Sequence, residues 1–368
     1  MQRGTKIGSL FGIPVLIHKS WWFVFALLTW VLATTYYPQD SILPGQSTAL
    51  YWILGGASAL LLFLSVLLHE LSHSLVARWR HIKVDSITLF FFGGVSGITK
   101  EDIKPSSEFM MAIAGPLFSF VLAAVFYGLT FLSLAPSLYA LSLYLAQLNL
   151  VLGIFNLLPG FPLDGGRAFR AILRAYYKDL RKATQIAVKG GKLVAFLLIA
   201  LGIFAMFNGG GGIWFIIIGF FLWYVAGASL QHVELNEVLK QYTVNDFVQT
   251  KYPSVLPSMT FQHFVTKYAN SNYNTFLVKG PSFVGVLDVT RLNKIAPSLQ
   301  QKLQLKRLSL PVHQLKTVSV HDAAHLALQK CLKQNLELLP VMQGKKVVGI
   351  IWRDQLLHRV QWDAQFGL

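Results

Sequence analysis

His69, Glu70 and His73 stand as H-E-x-x-H within the run from Leu50 to Ala77, where Glu70 is the sole Asp, Glu, Lys or Arg. On a helix, residues four apart share a face. Both imidazoles can then bind one zinc ion, with Glu70 beside them as general base. An acidic side chain at the centre of a membrane helix costs ~2.5–3.5 kcal/mol on insertion scales. A carboxylate kept there between two histidines is therefore expected to be used; the bland alternative is a chance five-residue match. Catalytic zinc takes a third protein ligand and keeps one position open for water. The candidate is Asp164, in the stretch Asn156–Arg167 that contains Pro159, Gly160 and Pro162. Backbone broken by proline at membrane depth must be buried in protein or line a watery cavity. From there a carboxylate could reach a metal on another helix. The competing reading is an interfacial Asp ahead of a Gly165-Gly166 helix stop. Asn156 could donate to a developing oxyanion, or satisfy backbone freed by the prolines.

These groups need a membrane scaffold, and the composition provides one. Hydrophobic residues make up 54% of the 368 and charged residues 13%, about half the usual charged share of a soluble chain. Mean hydropathy is +0.51. The single cysteine, Cys331, excludes an intramolecular disulfide framework and thiolate metal clusters. Six spans are expected, at roughly 20–37, 50–77, 108–134, 138–158, 192–207 and 213–230. Lys and Arg crowd alternate connections: Arg3, Lys6 and Lys19, then Arg78, Arg80, Lys83, Lys100 and Lys104, then Arg167 through Lys189. The loops 38–49, 135–137 and 208–212 have neither. This positive-inside pattern puts both termini in the cytoplasm. The net charge of +16 then reflects topology and anionic lipid, and no nucleic-acid partner is needed. The first span is expected to be retained as a span and not cleaved as a signal peptide. Ile87–Phe92, Gly93-Gly94 and Val95–Ile98 read as a short hairpin, whose edge could hold an unwound substrate through main-chain bonds; an aromatic interfacial loop is the alternative. The last two spans, joined by the glycine-rich Asn208–Gly212, are expected to form a loosely joined, movable pair.

Taken together, His69-Glu70-Leu71-Ser72-His73, Gly115-Pro116 and Asn156…Pro159…Pro162-Leu163-Asp164-Gly165 resemble the site-2 protease family of intramembrane zinc metalloproteases. The resemblance covers residues 1 to about 230. It implies one zinc ion on His69, His73 and Asp164, with Glu70 as base and Asn156 polarising the scissile carbonyl. It also implies substrates that are single-span membrane proteins such as anti-sigma factors.

After about residue 240 the apolar runs shorten and an internal repeat emerges. Ser254–Met259 aligns with Thr317–Asp322, and Val284–Leu287 with Val348–Ile351. Two strand–helix–strand–strand–helix units of this length resemble a CBS pair, a module that often binds adenine nucleotides. Asp354 matches the ribose-binding position, but Trp352 and Arg353 replace the usual preceding hydroxyl. In the first unit Thr290 stands there, and Asp288 is two residues early. At most one nucleotide site is expected; a structural role, such as forming a homodimer, is the alternative.

The expected fold is thus an α-helical polytopic membrane protein with six transmembrane helices, H-E-x-x-H in the second, and a C-terminal α/β tandem CBS pair. The expected boundaries are 1–235, 241–303 and 304–368. Two competing functions are an inactive membrane scaffold or sensor of the same family and a CBS-gated transporter. The intact motif with Asp164 argues against the first. The lack of a paired half in the membrane part argues against the second.

Overall fold

The computed structural model describes residues 4–90, 93–98, 103–132, 135–271, 273–294, 303–344 and 346–366. The chain divides into two compact units, 1–230 and 231–368. In the first, α1 (Ser20–Val31) continues as a π turn over Leu32–Tyr36 and stops before Pro38. It is followed by α2 (Thr48–Trp79), α3 (Pro105–Leu129), α4 (Pro136–Asn156), α5 (Asp164–Tyr177), α6 (Leu180–Phe207) and α7 (Ile213–Leu239), the residues of α7 after Leu230 belonging to the second unit. The start signals are ordinary. Ser47 caps α2 by accepting from Leu50 N at 3.3 Å, prolines open α3 and α4, and Asp179 caps α6 by accepting from Lys182 N.

Five helices, α2, α3, α4, α6 and α7, are long and apolar enough to cross a bilayer. The chain is an integral membrane protein. The expected first span is the shorter helix Ser20–Tyr36, about 25 Å long against a hydrocarbon core of ~30 Å. Among the described residues, five helices thus meet the length of a span, and the sixth expected segment is a shorter apolar helix. Helix α6 also begins well before residue 192. Its basic residues resemble a loop in sequence, but Ala183, Thr184, Ala187, Val188 and Gly191 form a buried face beside them.

A four-stranded sheet, unexpected in its first half, accompanies these helices. Strands β1 (Thr5–Leu10), β2 (Ile13–Ile17), β3 (Val84–Phe90) and β4 (Gly93–Ile98) lie in that order. Neighbours are antiparallel except β2 and β3, which run parallel with Val15 opposite Ile87. The expected hairpin is thus present and starts earlier, at Val84; Phe91 and Phe92 at its tip lie outside the described residues. Ile13, Val15, Ile87 and Leu89 pack on Trp21 of α1 and on Phe63, Leu67 and Leu71 of α2. The helix that carries the His-Glu-His triplet thus receives the sheet on a different face, through Phe63, Leu67 and Leu71, and β4 is an edge strand of that sheet.

Among the glycines joining α6 and α7, Gly209 and Gly211 meet open space, but Gly212, and Gly219 within α7, serve close packing. A Cβ on Gly212 would collide with the Gly202 carbonyl, and one on Gly219 would stand 2.8 Å from the Ala195 carbonyl. They permit close backbone approach between two membrane helices, so this pair is tightly packed and not loosely joined.

The second unit holds the expected α/β repeats. Strands β5 (Ser254–Val255), β6 (Thr275–Gly280) and β7 (Phe283–Asp288) flank the helix Phe261–Tyr268, and β8 (Leu310–Pro311) joins β7. Strands β9 (Val318–Ser319), β10 (Leu338–Gln343) and β11 (Lys346–Trp352) flank Ala324–Gln334 and precede Arg353–Phe366. The copies are interlocked. Gln249, ahead of the first copy, bridges to Ile350 of the second, and one core contains Leu277 and Val286 together with Val318, Leu338 and Ile350.

Candidate metal centre

Helix α2 buries both imidazoles, and the first residue of α5 brings a carboxylate to them from more than ninety positions away. Asp164 Oδ2 lies 3.1 Å from His69 Nε2 and 3.1 Å from His73 Nε2. Donor atoms at ~2.0–2.2 Å from one tetrahedral zinc stand about 3.4 Å apart, so this convergence suits a shared ion. The far ring nitrogens are also engaged. His69 Nδ1 meets Ser119 Oγ at 2.8 Å, and His73 Nδ1 donates to the Met111 carbonyl at 2.6 Å. The Met111 carbonyl can only accept, so it leaves His73 Nε2 free to ligate a metal, and Ser119 orients the His69 ring toward the same point. The donor set and its orientation fit zinc.

Helix α3 supplies the cradle. A Cβ on Gly115 would stand 2.5 Å from His69 Nε2 and closer still to His73 Nε2. Glycine is therefore required there to admit both rings. The next residue, Pro116, lies inside the helix and withdraws the N–H that would otherwise bond to the Ala112 carbonyl.

Glu70 is half-buried, and its carboxylate belongs with the His69 and His73 donors in a group spanning no more than 4.8 Å. That grouping alone would permit Glu70 as a ligand. The two 3.1 Å approaches of Asp164 favour Asp164 for that place, leaving Glu70 adjacent. Strand β4 runs beside it: a Cβ on Gly94 would collide with Glu70 Cγ. The outer strand of the sheet thus passes the candidate base.

The Asn156–Arg167 turn is held from outside by α6. Phe161 N donates to the Ala187 carbonyl at 3.2 Å. Gly160 and Gly191 touch backbone to backbone, and a Cβ on either Gly165 or Gly166 would strike the turn itself. Gly165-Gly166 is therefore a packing site in the first turn of α5 and not a helix stop. Further along α5, Arg170 donates to Glu108 Oε1 of α3, from Nε at 2.8 Å, and its guanidinium lies over the Phe161 ring. Arg174 Nη1 donates to the Ile103 carbonyl at 2.7 Å. Sequence reasoning missed Ser119 and the Glu108–Arg170 pair. Ser119 was findable, because it follows Gly115 by one helical turn and so shares its face.

Asn156 donates from Nδ2 to the Leu152 carbonyl of its own helix at 3.0 Å, a carbonyl four residues back within α4 and not one freed by Pro159 or Pro162. Asp354 lies far along the chain in the other unit. Its side chain is 81% exposed and meets Arg353 Nε at 3.4 Å. In the first repeat, Thr290 donates to Asp288 Oδ1 through both N and Oγ1.

With this geometry in place, comparison with known proteins is decisive at family level. The model for peptidase family M50 matches residues 57–142 and 132–201. A Synechocystis protein named as a zinc metalloprotease is 34% identical over 99% of this chain and 97% of its own length. Rip3 of Mycobacterium tuberculosis, also named as a zinc metalloprotease, is 33% identical over 95% and 91%. A solved site-2 protease from Methanocaldococcus jannaschii shares 33% identity, covering 61% of this chain and 94% of that one, with a TM-score of 0.42. The chain belongs to peptidase family M50, the site-2 protease family. It is a zinc metalloprotease embedded in a lipid bilayer, acting on membrane-protein substrates.

Proposed function

We propose that this protease cleaves the transmembrane segment of single-span membrane proteins, anti-sigma factors being one such class, in regulated intramembrane proteolysis. His69, His73 and Asp164 would hold the zinc ion. When bound, the ion supplies Lewis acidity and lowers the pKa of a bound water toward ~7. Glu70 takes a proton from the attacking water and delivers it to the leaving amine. Asn156, on leaving its Leu152 partner, would polarise the scissile carbonyl. A helical substrate must unwind first, because its carbonyls are bonded within the helix. The outer edge of β4, beside Glu70, can hold the extended segment by main-chain pairing.

The observation that carries this reading is the convergence of His69, His73 and Asp164 at 3.1 Å, with Glu70 alongside. The Lys/Arg asymmetry of the loops supports cytoplasmic termini and a cytoplasmic second unit. The domains are then 1–235 for the protease and 241–303 and 304–368 for the CBS pair. That pair would regulate through an adenine nucleotide near Asp354 or through homodimerisation.

Glu70→Gln is expected to retain zinc and lose proteolysis of a model single-span substrate, whereas Asp164→Asn is expected to lose zinc. Turnover by the purified Glu70→Gln protein would remove Glu70 as the base. Normal zinc content in Asp164→Asn would place the third ligand elsewhere.

A further inference from the structure

Where α2 ends and α3 begins, the described residues enclose an open pocket of about 470 Å³. It belongs to neither the metal centre nor the sheet. Arg80, His81 and Lys104 line it, with the Ser107 hydroxyl and the rings and chains of Trp79 and Ile103, and no described lining residue is acidic. Arg80 is poorly employed for a partly buried cation. Among the described residues its Nε is buried without a hydrogen-bond partner and its Nη2 approaches the Met110 thioether, while its guanidinium stacks 5.1 Å from the centre of the Trp79 ring. A buried guanidinium donor left unsatisfied is costly, and the chemistry that satisfies it is an oxyanion. Trp79 is 65% exposed, and both helices are spanning helices. Their ends therefore lie at headgroup depth, where tryptophan concentrates.

We propose that this pocket binds the phosphate of an anionic phospholipid headgroup. Basic pockets between membrane helices take such headgroups. Here the bound phosphate would engage Arg80 and Lys104, while the acyl chains run along Trp79. The site adjoins the metal centre through covalent neighbours: Met110, which touches Arg80, precedes the Met111 carbonyl that accepts from His73. Arg174 of α5, the helix that begins with Asp164, holds the Ile103 wall. An occupied pocket would brace the two helices that position the ligands. The proposal does not depend on which bond the protease cuts.

The test uses full-length, zinc-loaded protein stripped of lipid in detergent, titrated with phosphatidylglycerol or phosphatidylcholine and read by native mass spectrometry. Phosphatidylglycerol should bind preferentially. Arg80→Gln and Lys104→Gln should each weaken it about fivefold, since a basic residue at the membrane surface contributes roughly 1 kcal/mol. The double variant should weaken it about 25-fold. The charge-matched Lys6→Gln/Lys19→Gln protein should bind as the unaltered chain does. Zinc content reports that each variant is folded.

Equal retention of the two lipids, or a double variant that binds as well as the unaltered chain, would overturn the proposal. An equal loss in the Lys6/Lys19 control would reduce the effect to bulk charge and overturn the site. Saturation by millimolar inorganic phosphate, with no preference for lipid, would overturn the lipid source.

Discussion

Adding one methyl group at Gly115 should abolish zinc binding without unfolding the protein. A Cβ there lies 2.5 Å from His69 Nε2, whereas ordinary van der Waals contact begins near 3.4 Å. That ring must retreat by about 0.9 Å or turn aside, and His73 must retreat further. Metal–ligand distances tolerate only ~0.2 Å. The rings cannot retreat freely, because their Nδ1 atoms are tied to Ser119 and to the Met111 carbonyl. Losing one such outer partner alone costs ~10–100-fold in metal affinity. Displacing both donor atoms should therefore exceed 100-fold, or about 2.7 kcal/mol. Without metal the cost is that of freeing the two rings from their Nδ1 partners, about 1 kcal/mol per hydrogen bond, and the fold survives it because the three nearest obstructing atoms are side-chain and not backbone atoms. Competitive titration of Gly115→Ala against a zinc chelator measures the affinity, and thermal unfolding of the metal-free protein measures the fold. Gly128→Ala is the control: it lies on the same helix, and among the described residues its added Cβ meets open space. Zinc affinity of Gly115→Ala within threefold of the control would refute the cradle, and with it the assignment of both Nε2 atoms to the metal.

Other outcomes follow from neighbouring contacts. Ser119→Ala should weaken zinc by ~10–100-fold while leaving metal-free stability nearly unchanged, as read by the same chelator titration. Gly94→Val should displace the Glu70 carboxylate, keeping zinc but lowering the cleavage rate on the order of 100-fold, the usual effect of misplacing a reacting group by about 1 Å. Cys331 is fully buried in the second unit, and burial pushes its thiol up to about 12. It therefore stays protonated near neutrality, and N-ethylmaleimide should label it only after denaturation; rapid labelling of the native protein at pH 7.5 would contradict the packing of that core.

The legible part of this protein lay in short-range pattern. The H-E-x-x-H spacing, the apolar runs of α2 to α4 and α7, and the repeat in the second unit all follow from periodicities of a few residues, or from a duplication that leaves matching segments in order. Asp164 was legible through its proline-broken setting. The same local logic misjudged α6, whose lysines and arginines hid a buried small-residue face. It also misjudged Gly212 between α6 and α7, where its backbone approach to Gly202 decides its purpose. The strands Thr5–Leu10 and Ile13–Ile17 were missed: they pair with each other across Phe11-Gly12, but only Ile13–Ile17 is joined to the rest of the sheet, by β3, which begins at Val84, and a pairing across that separation leaves no local signature. What gathers the candidate ligands was likewise decided only in three dimensions. Gly115, Ser119 and Met111 reach His69 and His73 from another helix, and Asp164 is held by a turn locked onto α6. The sequence determined which groups can bind metal, because donor type and helical spacing are local properties. Only the tertiary structure decided their orientation, because ring rotation and carboxylate reach are set by contacts between helices distant in the chain.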